Sequence, residues 1–267
     1  MRRLIIAALL TLAATAIQAG TLSQTVDRTF DARPGATFTL DNVNGHVTVT
    51  SWDQPRIRVH AVKTVSRADD ARGALNELRV EMTPHDGGVT VHTIYPKHSG
   101  SGFLDFLAGN WMGSDEKVEY DVNVPRSMSL ELETTNGRIE VDGVSGTLKA
   151  ETTNGQVELA RCAGSVDAST TNGSVKAELL TVDRARTNRL STTNGKIVLK
   201  VPPSLAAEID ASTTNGSIES ELPVTTHTIG RHSLRGTING GGASLRLRTT
   251  NGSIEILNVG GTKSASR

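Results

Sequence analysis

Over most of the chain, apolar and polar residues alternate. Leu130 and Leu132 precede Asn136, Ile139 and Val141 follow Gly137, and Leu148, Ala150, Val157 and Leu159 take the matching places one unit later. A period of two belongs to a strand whose successive side chains face opposite sides. The pattern therefore predicts short strands with one buried face. Earlier strand-like runs fall at 24–30, 37–40, 46–51 and 56–65. Ala71, Leu75 and Leu78 then share a face at helical spacing and predict one helix over 68–78. Strand pattern resumes at 80–82 and 89–94.

The alternation is organised around a repeated tetrapeptide. Thr-Thr-Asn-Gly ends at Gly137, Gly155, Gly173, Gly195, Gly216 and Gly252, at spacings of 18, 18, 22, 21 and 36. The last spacing is twice 18, and Thr237-Ile238-Asn239-Gly240 lies within it as a degenerate copy. Val43-Asn44-Gly45-His46-Val47 is an earlier relative. Asn-Gly tolerates positive φ and so supplies turn chemistry. Flanked by alternating apolar residues it is also a hairpin signal, so serial antiparallel hairpins compete with a solenoid of stacked coils. The threonines favour stacking, because a hairpin needs only Asn-Gly. In a stack Thr134, Thr135 and Asn136, and the later copies around Asn154, Asn172, Asn194, Asn215 and Asn251, form a ladder in which hydroxyls and amides hydrogen-bond from coil to coil.

The expected fold is all-β, a solenoid resembling a single-stranded β-helix, with a β-rich N-terminal cap that contains one short helix and covers the first coil's edge. Residues 1–19 read as a signal peptide, with Arg2 and Arg3, an apolar run from Leu4 to Leu12, and small residues ending at Ala19. Residues 20–125 form the cap region, 126–259 the repeat and 260–267 a disordered tail. Segment 99–114 is Gly-rich and carries Phe103, Leu104, Phe106, Leu107, Trp111 and Met112. It reads either as a cover over open core or as an interaction patch that docks a partner.

Composition narrows the function classes. Lys plus Arg and Asp plus Glu are equal at 28 each, without the basic excess typical of nucleic-acid binders. Aromatics at 3% leave little material for stacking platforms. The apolar run near the start is too short to span a bilayer, and no second run approaches the roughly 20 residues a span needs. One cysteine, Cys162, excludes an intrachain disulfide and a thiolate cluster, and reads as a quiet buried thiol. His46, His60, His85, His92, His98, His227 and His232 show no metal-ligand spacing. Asp69 and Asp70 read as helix-start charges. No catalytic constellation and no cofactor signature stands out, and the Asn-Gly-Ser triplets at Asn172, Asn215 and Asn251 are explained by the turn. Glu131, Glu133, Glu140, Glu151 and Glu158 form either a carboxylate strip on one face or the solvated exterior of alternating strands.

The residues Phe30-Asp31-Ala32-Arg33-Pro34-Gly35, Asn42-Val43-Asn44-Gly45-His46-Val47-Thr48-Val49 and Val124-Pro125, leading into the Asn-Gly repeats, resemble the bacterial putative adhesin family of unknown function, a DUF4097-type domain. The resemblance covers roughly 24–257. It implies a β-solenoid-like domain with an envelope or surface role, and brings no catalytic residues. The leading expectation is a non-enzymatic exported scaffold located in the periplasm, on the cell surface or in the medium. Its partner would be an envelope or surface protein or a glycan, with no nucleic acid and no membrane span. A polysaccharide-active β-helix enzyme and a self-assembling envelope element are the alternatives. Ligand and oligomeric state are not readable from the residues.

Overall fold

The computed structural model describes residues 11–18, 21–66, 71–96 and 116–259, without the side chains of 11–18, 227 and 229. Segment 99–114, Asp69, Asp70 and His98 therefore lie outside the described residues. In the N-terminal part, β1 (Thr11–Gln18), β2 (Thr21–Asp31), β3 (Thr37–Asp41), β4 (Val47–Trp52) and β5 (Arg56–Ser66) lead into α1 (Ala71–Glu77). β6 (Arg79–His85), β7 (Gly88–Ile94) and β8 (Lys117–Pro125) follow. The repeat region comprises β9 (Ser129–Asn136), β10 (Ile139–Asp142), β11 (Ser145–Asn154), β12 (Val157–Asn172), β13 (Val175–Val182), β14 (Thr187–Asn194), β15 (Ile197–Val201), β16 (Ala207–Asn215), β17 (Ile218–Ser220), β18 (Thr225–Gly230), β19 (Ser233–Ile238), β20 (Ala243–Asn251) and β21 (Ile254–Asn258).

Each Asn-Gly joins a strand of one wall to a strand of a second wall, and like strands stack in parallel. In the first wall β3, β9, β11, the second half of β12, β14, β20 and β16 are neighbours in that order. In the second wall the order is β4, β10, the first half of β12, β13, β15, β21 and β17. Register is kept unit by unit: Asn154 lies beside Asn136 and Asn172, and Val157 beside Ile139 and Val175. This parallel register overturns the serial-hairpin alternative.

Alternation decides what fills the space between the walls. Leu132, Ala150, Ala168, Leu190, Leu247 and Ala211 form one inward row of the first wall; Ile139, Val157, Val175, Ile197 and Ile254 form one of the second. All are buried. Burying a Leu, Ile or Val contributes about 1.5–3 kcal/mol relative to exposure, and each coil adds several such side chains.

The region expected to be a cap continues the walls. β7 pairs in parallel with β3, and β6 with β7 antiparallel. β8 pairs in parallel with β4, then antiparallel with β5, which pairs with β2. The first coil of the stack is therefore β3–β4 at Asn44, well before Asn136. α1 packs on β2 and β5 and adds Leu75 to the core, as does Leu78 just after it. The Lys63 Nζ, buried beneath it, donates to the carbonyls of Leu75 (3.1 Å), in the helix's last turn, and of Leu78 (2.9 Å), just past it.

The C-terminal end departs from sequence order. β20–β21, last in the chain, sits between β14–β15 and β16–β17. The Thr237–Gly240 segment is not a coil of the stack: β19 runs antiparallel to β16, and Asn239, at φ 49°, donates to the carbonyls of Pro203 and Leu205. The spacing of 36 holds a returning hairpin, β18–β19, rather than a degenerate repeat.

Candidate functional site

The repeat builds a polar ridge where the two walls meet. Each ladder asparagine donates from Nδ2 to the Oδ1 of the coil before it: Asn136 to Asn44, Asn154 to Asn136, Asn172 to Asn154, Asn194 to Asn172, Asn251 to Asn194 and Asn215 to Asn251, all at 2.7–2.9 Å. Asn44 ends the series on the carbonyl of Glu116. The two threonines divide their work. The first is buried and, from Thr152 onward, donates to the glycine carbonyl of the neighbouring coil, as Thr152 does to Gly137 (3.0 Å) and Thr170 to Gly155 (3.0 Å), whereas Thr134 donates to the Val43 carbonyl (3.4 Å). The second, such as Thr153 or Thr171, is exposed beside the asparagines. Hydroxyls thus bond to carbonyls along the stack and not to one another. In the first coil Asn42 stands in register with Thr134 and its Nδ2 donates to the Val118 carbonyl (3.0 Å).

The glycine is required by contact. No ladder asparagine is left-handed, so Asn-Gly does not act here through asparagine's tolerance of positive φ. A Cβ on Gly155 would lie 2.0 Å from the Gly137 carbonyl oxygen, and the same clash recurs at Gly137, Gly173, Gly195, Gly216 and Gly252. At the far end His232 Nδ1 lies 3.0 Å from the Gly216 carbonyl oxygen, the acceptor that a next coil's threonine would otherwise take.

Outside the walls, stacking aligns charges in rows. On the first wall Glu131, Lys149, Asp167, Arg189, Arg246, Asp210 and Arg235 follow one another across the strands. Lys149 bridges Glu131 (3.5 Å) and Glu151 (3.2 Å), and Arg189 approaches Asp167 (3.7 Å). Arg235, Arg246 and Arg248 converge on Asp210 at 3.2, 3.7 and 2.5 Å. Burial pushes the Asp210 carboxyl up, but hydrogen bonds from Arg248 and Arg235 outweigh it, and its pKa lies below the usual value. Asp167 is raised by burial, with Arg189 offsetting only part of the effect.

The five glutamates do not make one strip. Glu131, Glu133 and Glu151 lie on the first wall, Glu140 and Glu158 on the second, because the chain changes walls at Asn136-Gly137. Glu140 pairs with Arg138 (2.7 Å), and Glu158 accepts from Gln156 (2.5 Å).

Histidines are held singly. His60 meets Asp27 (3.0 Å), which Arg58 also grips, and the Arg58 hydrogen bond holds the Asp27 carboxyl below its usual range. His92 meets Asp41 (2.9 Å), and His46 accepts from the Arg138 amide. Among the described residues no three His, Cys, Asp or Glu side chains converge as a metal centre requires. Cys162 is fully buried, and burial pushes its thiol up to about 11. Two residues escaped sequence reasoning. Asn188, buried in the inward row, accepts from the Val166 amide and donates to the Asp183, Arg186 and Ser244 carbonyls. Tyr95 donates to Asn42 Oδ1 (2.9 Å) and accepts from the Asn44 amide. Each departs from the repeat, and departure from the repeat is their only sequence signal.

This geometry defines a class: a two-walled parallel β-stack closed at one ridge by an asparagine ladder. The chain belongs to the Toastrack DUF4097 family, whose profile matches residues 36–257. Among solved structures it is similar to one titled "putative cell adhesion protein" from Clostridium sporogenes, at 13% identity and TM-score 0.45, covering 87% of this chain and 99% of that one. It is also similar to one titled "putative adhesin" from Bacteroides fragilis, at 10% identity and TM-score 0.29, covering 88% and 97%. No curated protein matches the chain. Among the described residues no helix is long and apolar enough to cross a membrane.

Proposed function

We propose that this chain is an exported, non-enzymatic scaffold of the cell envelope or surface, adhesin-like in holding a partner without transforming it. The observation that carries the reading is the pair of outer walls. Strand stacking at roughly 4.8 Å sets charged and hydroxyl side chains in straight rows, on a support with a filled apolar core and a hydrogen-bonded asparagine ridge. Such a surface suits many weak contacts with an envelope protein or glycan. The leader-like residues 1–19 support export, and Phe103 to Met112 supply an apolar element for docking.

The test is retention of envelope fractions by the purified chain beginning at Gly20. Three proteins are compared: that chain, a form lacking 101–113, and a form with Arg246 and Arg248 both changed to Gln. Retention lost in either variant while its thermal unfolding is unchanged supports the reading and locates the surface. Equal retention by all three, or chemical alteration of the retained material, overturns it.

A further inference from the structure

β1 and β2 run antiparallel, with Leu12 opposite Val26, Ile17 opposite Leu22 and Gln18 opposite Thr21. β2 therefore has both edges filled, by β5 along its whole length and by β1 along Thr21–Asp27. The residues that connect β1 to β2, Ala19 and Gly20, hold the cleavage point of the expected leader. Cleavage there removes β1 and leaves β2, an 11-residue strand, at the end of its wall. Leu22 and Val26 reach the core only partly buried. Between Thr21 and Val26 stands none of the Pro, Lys or other charges that usually blunt an edge.

We propose that in the processed chain the slot left by β1 is taken by β2 of a second copy, in a two-fold antiparallel pair centred on Gln24. The inference rests on the export reading, which supplies the cleavage. The strand is complementary to itself in that register. Leu22 of one copy faces Val26 of the other, so each takes an apolar residue at the register position that Ile17 and Leu12 hold along β1. Ser23 faces Thr25 and Thr21 faces Asp27, and no like charges oppose. A two-fold contact uses the same patch on both copies and closes at two. It also fuses the second walls of two molecules into one sheet.

The test compares recombinant full-length chain with a chain beginning at Gly20, so it does not depend on processing in the cell. Sedimentation equilibrium is expected to show a dimer for the Gly20 chain and a monomer for the full chain. Q24C in the Gly20 chain is expected to form a disulfide dimer on mild oxidation. Directly opposed residues have Cα atoms about 4.5–5.5 Å apart, within disulfide reach, and Cys162 is buried. T29C, beyond the paired stretch, is expected to stay monomeric. A Gly20 chain that is monomeric at every accessible concentration overturns the proposal without any substitution. Equal cross-linking at 24 and 29, or cross-linking of Q24C in the full chain, overturns it as well. N-terminal sequencing of the protein from producing cells tests the premise separately: an intact leader overturns the export reading, whereas a monomeric Gly20 chain overturns the pairing.

Discussion

Gly155→Ala is the sharpest probe of the ridge. The added Cβ would sit 2.0 Å from the Gly137 oxygen and 2.6 Å from its carbon, where a carbon and a carbonyl oxygen need about 3.3 Å. The coils must part by roughly 1.3 Å at a point where Gly137 donates to Asn154 (3.1 Å) and Gly155 to Asn172 (3.0 Å). Two backbone bonds at about 0.5–1.5 kcal/mol each, with about 1–3 kcal/mol of overpacking, give a cost of about 2–6 kcal/mol. That is a large fraction of a typical stability of about 5–15 kcal/mol. The assay is urea unfolding followed by circular dichroism, with Gly230→Ala as control. A Cβ on Gly230 meets the Ser233 Oγ at 3.2 Å, a side chain that can turn away, and the Ser233 carbonyl oxygen at an ordinary contact distance of 3.9 Å. Gly155→Ala is expected to lower the midpoint well below that control. Equal midpoints would refute the view that close approach is what demands glycine.

Other outcomes follow from the same geometry. Asn154→Asp removes the donor to Asn136 and sets a carboxylate against an acceptor, so it is expected to cost about 1–3 kcal/mol in urea unfolding. Asn215→Ala, which loses one ladder bond at the end of the series, is expected to cost less. The depressed Asp27 and Asp210 contribute stability that is present above their unfolded pKa, near 3.8, and lost as pH falls through the lower folded values. The thermal midpoint is accordingly expected to drop below about pH 4, and less steeply in Asp210→Asn. Cys162, with a thiol near 11 in the fold, is expected to resist a thiol reagent at pH 8 until urea unfolds the chain. Its stabilising contribution is present below its unfolded value of 9.0 and is lost as pH rises towards 11.

The stack was legible because a residue repeated at coil spacing marks where coils touch. Asn136, Asn154 and Asn172 show this directly. Their glycines do lie at the bend between the walls, but the sequence does not announce their second role, the close approach to the neighbouring coil's carbonyl that leaves no room for a Cβ. Asn239-Gly240 looks like a ladder pair but forms the turn between β19 and β20, which the antiparallel pairing of β19 with β16 decides and local pattern does not. Parity placed Glu140 outward correctly, but it cannot tell which wall an outward residue belongs to until the change of wall at Gly137 is known. Nothing local to Asn194 announces that its neighbour in the ladder is Asn251, 57 residues on.

That long jump bears on how the molecule assembles. β16 and β17 are made before the strands that will lie between them and β14–β15, so the stack cannot grow by adding each coil to the last as the chain emerges. Until β20 and β21 arrive, β14 and β16 face each other across a vacant berth, each with one unpaired edge. Repeat arrays can usually propagate from any nucleus, neighbour by neighbour. Here the final strands act as a keystone, and closure carries the delay of a non-local contact. The waiting edges are also where nascent chains would cross-pair at high concentration. Once seated, the keystone makes the last coils interdependent, so this end of the stack should open as a block and not fray coil by coil.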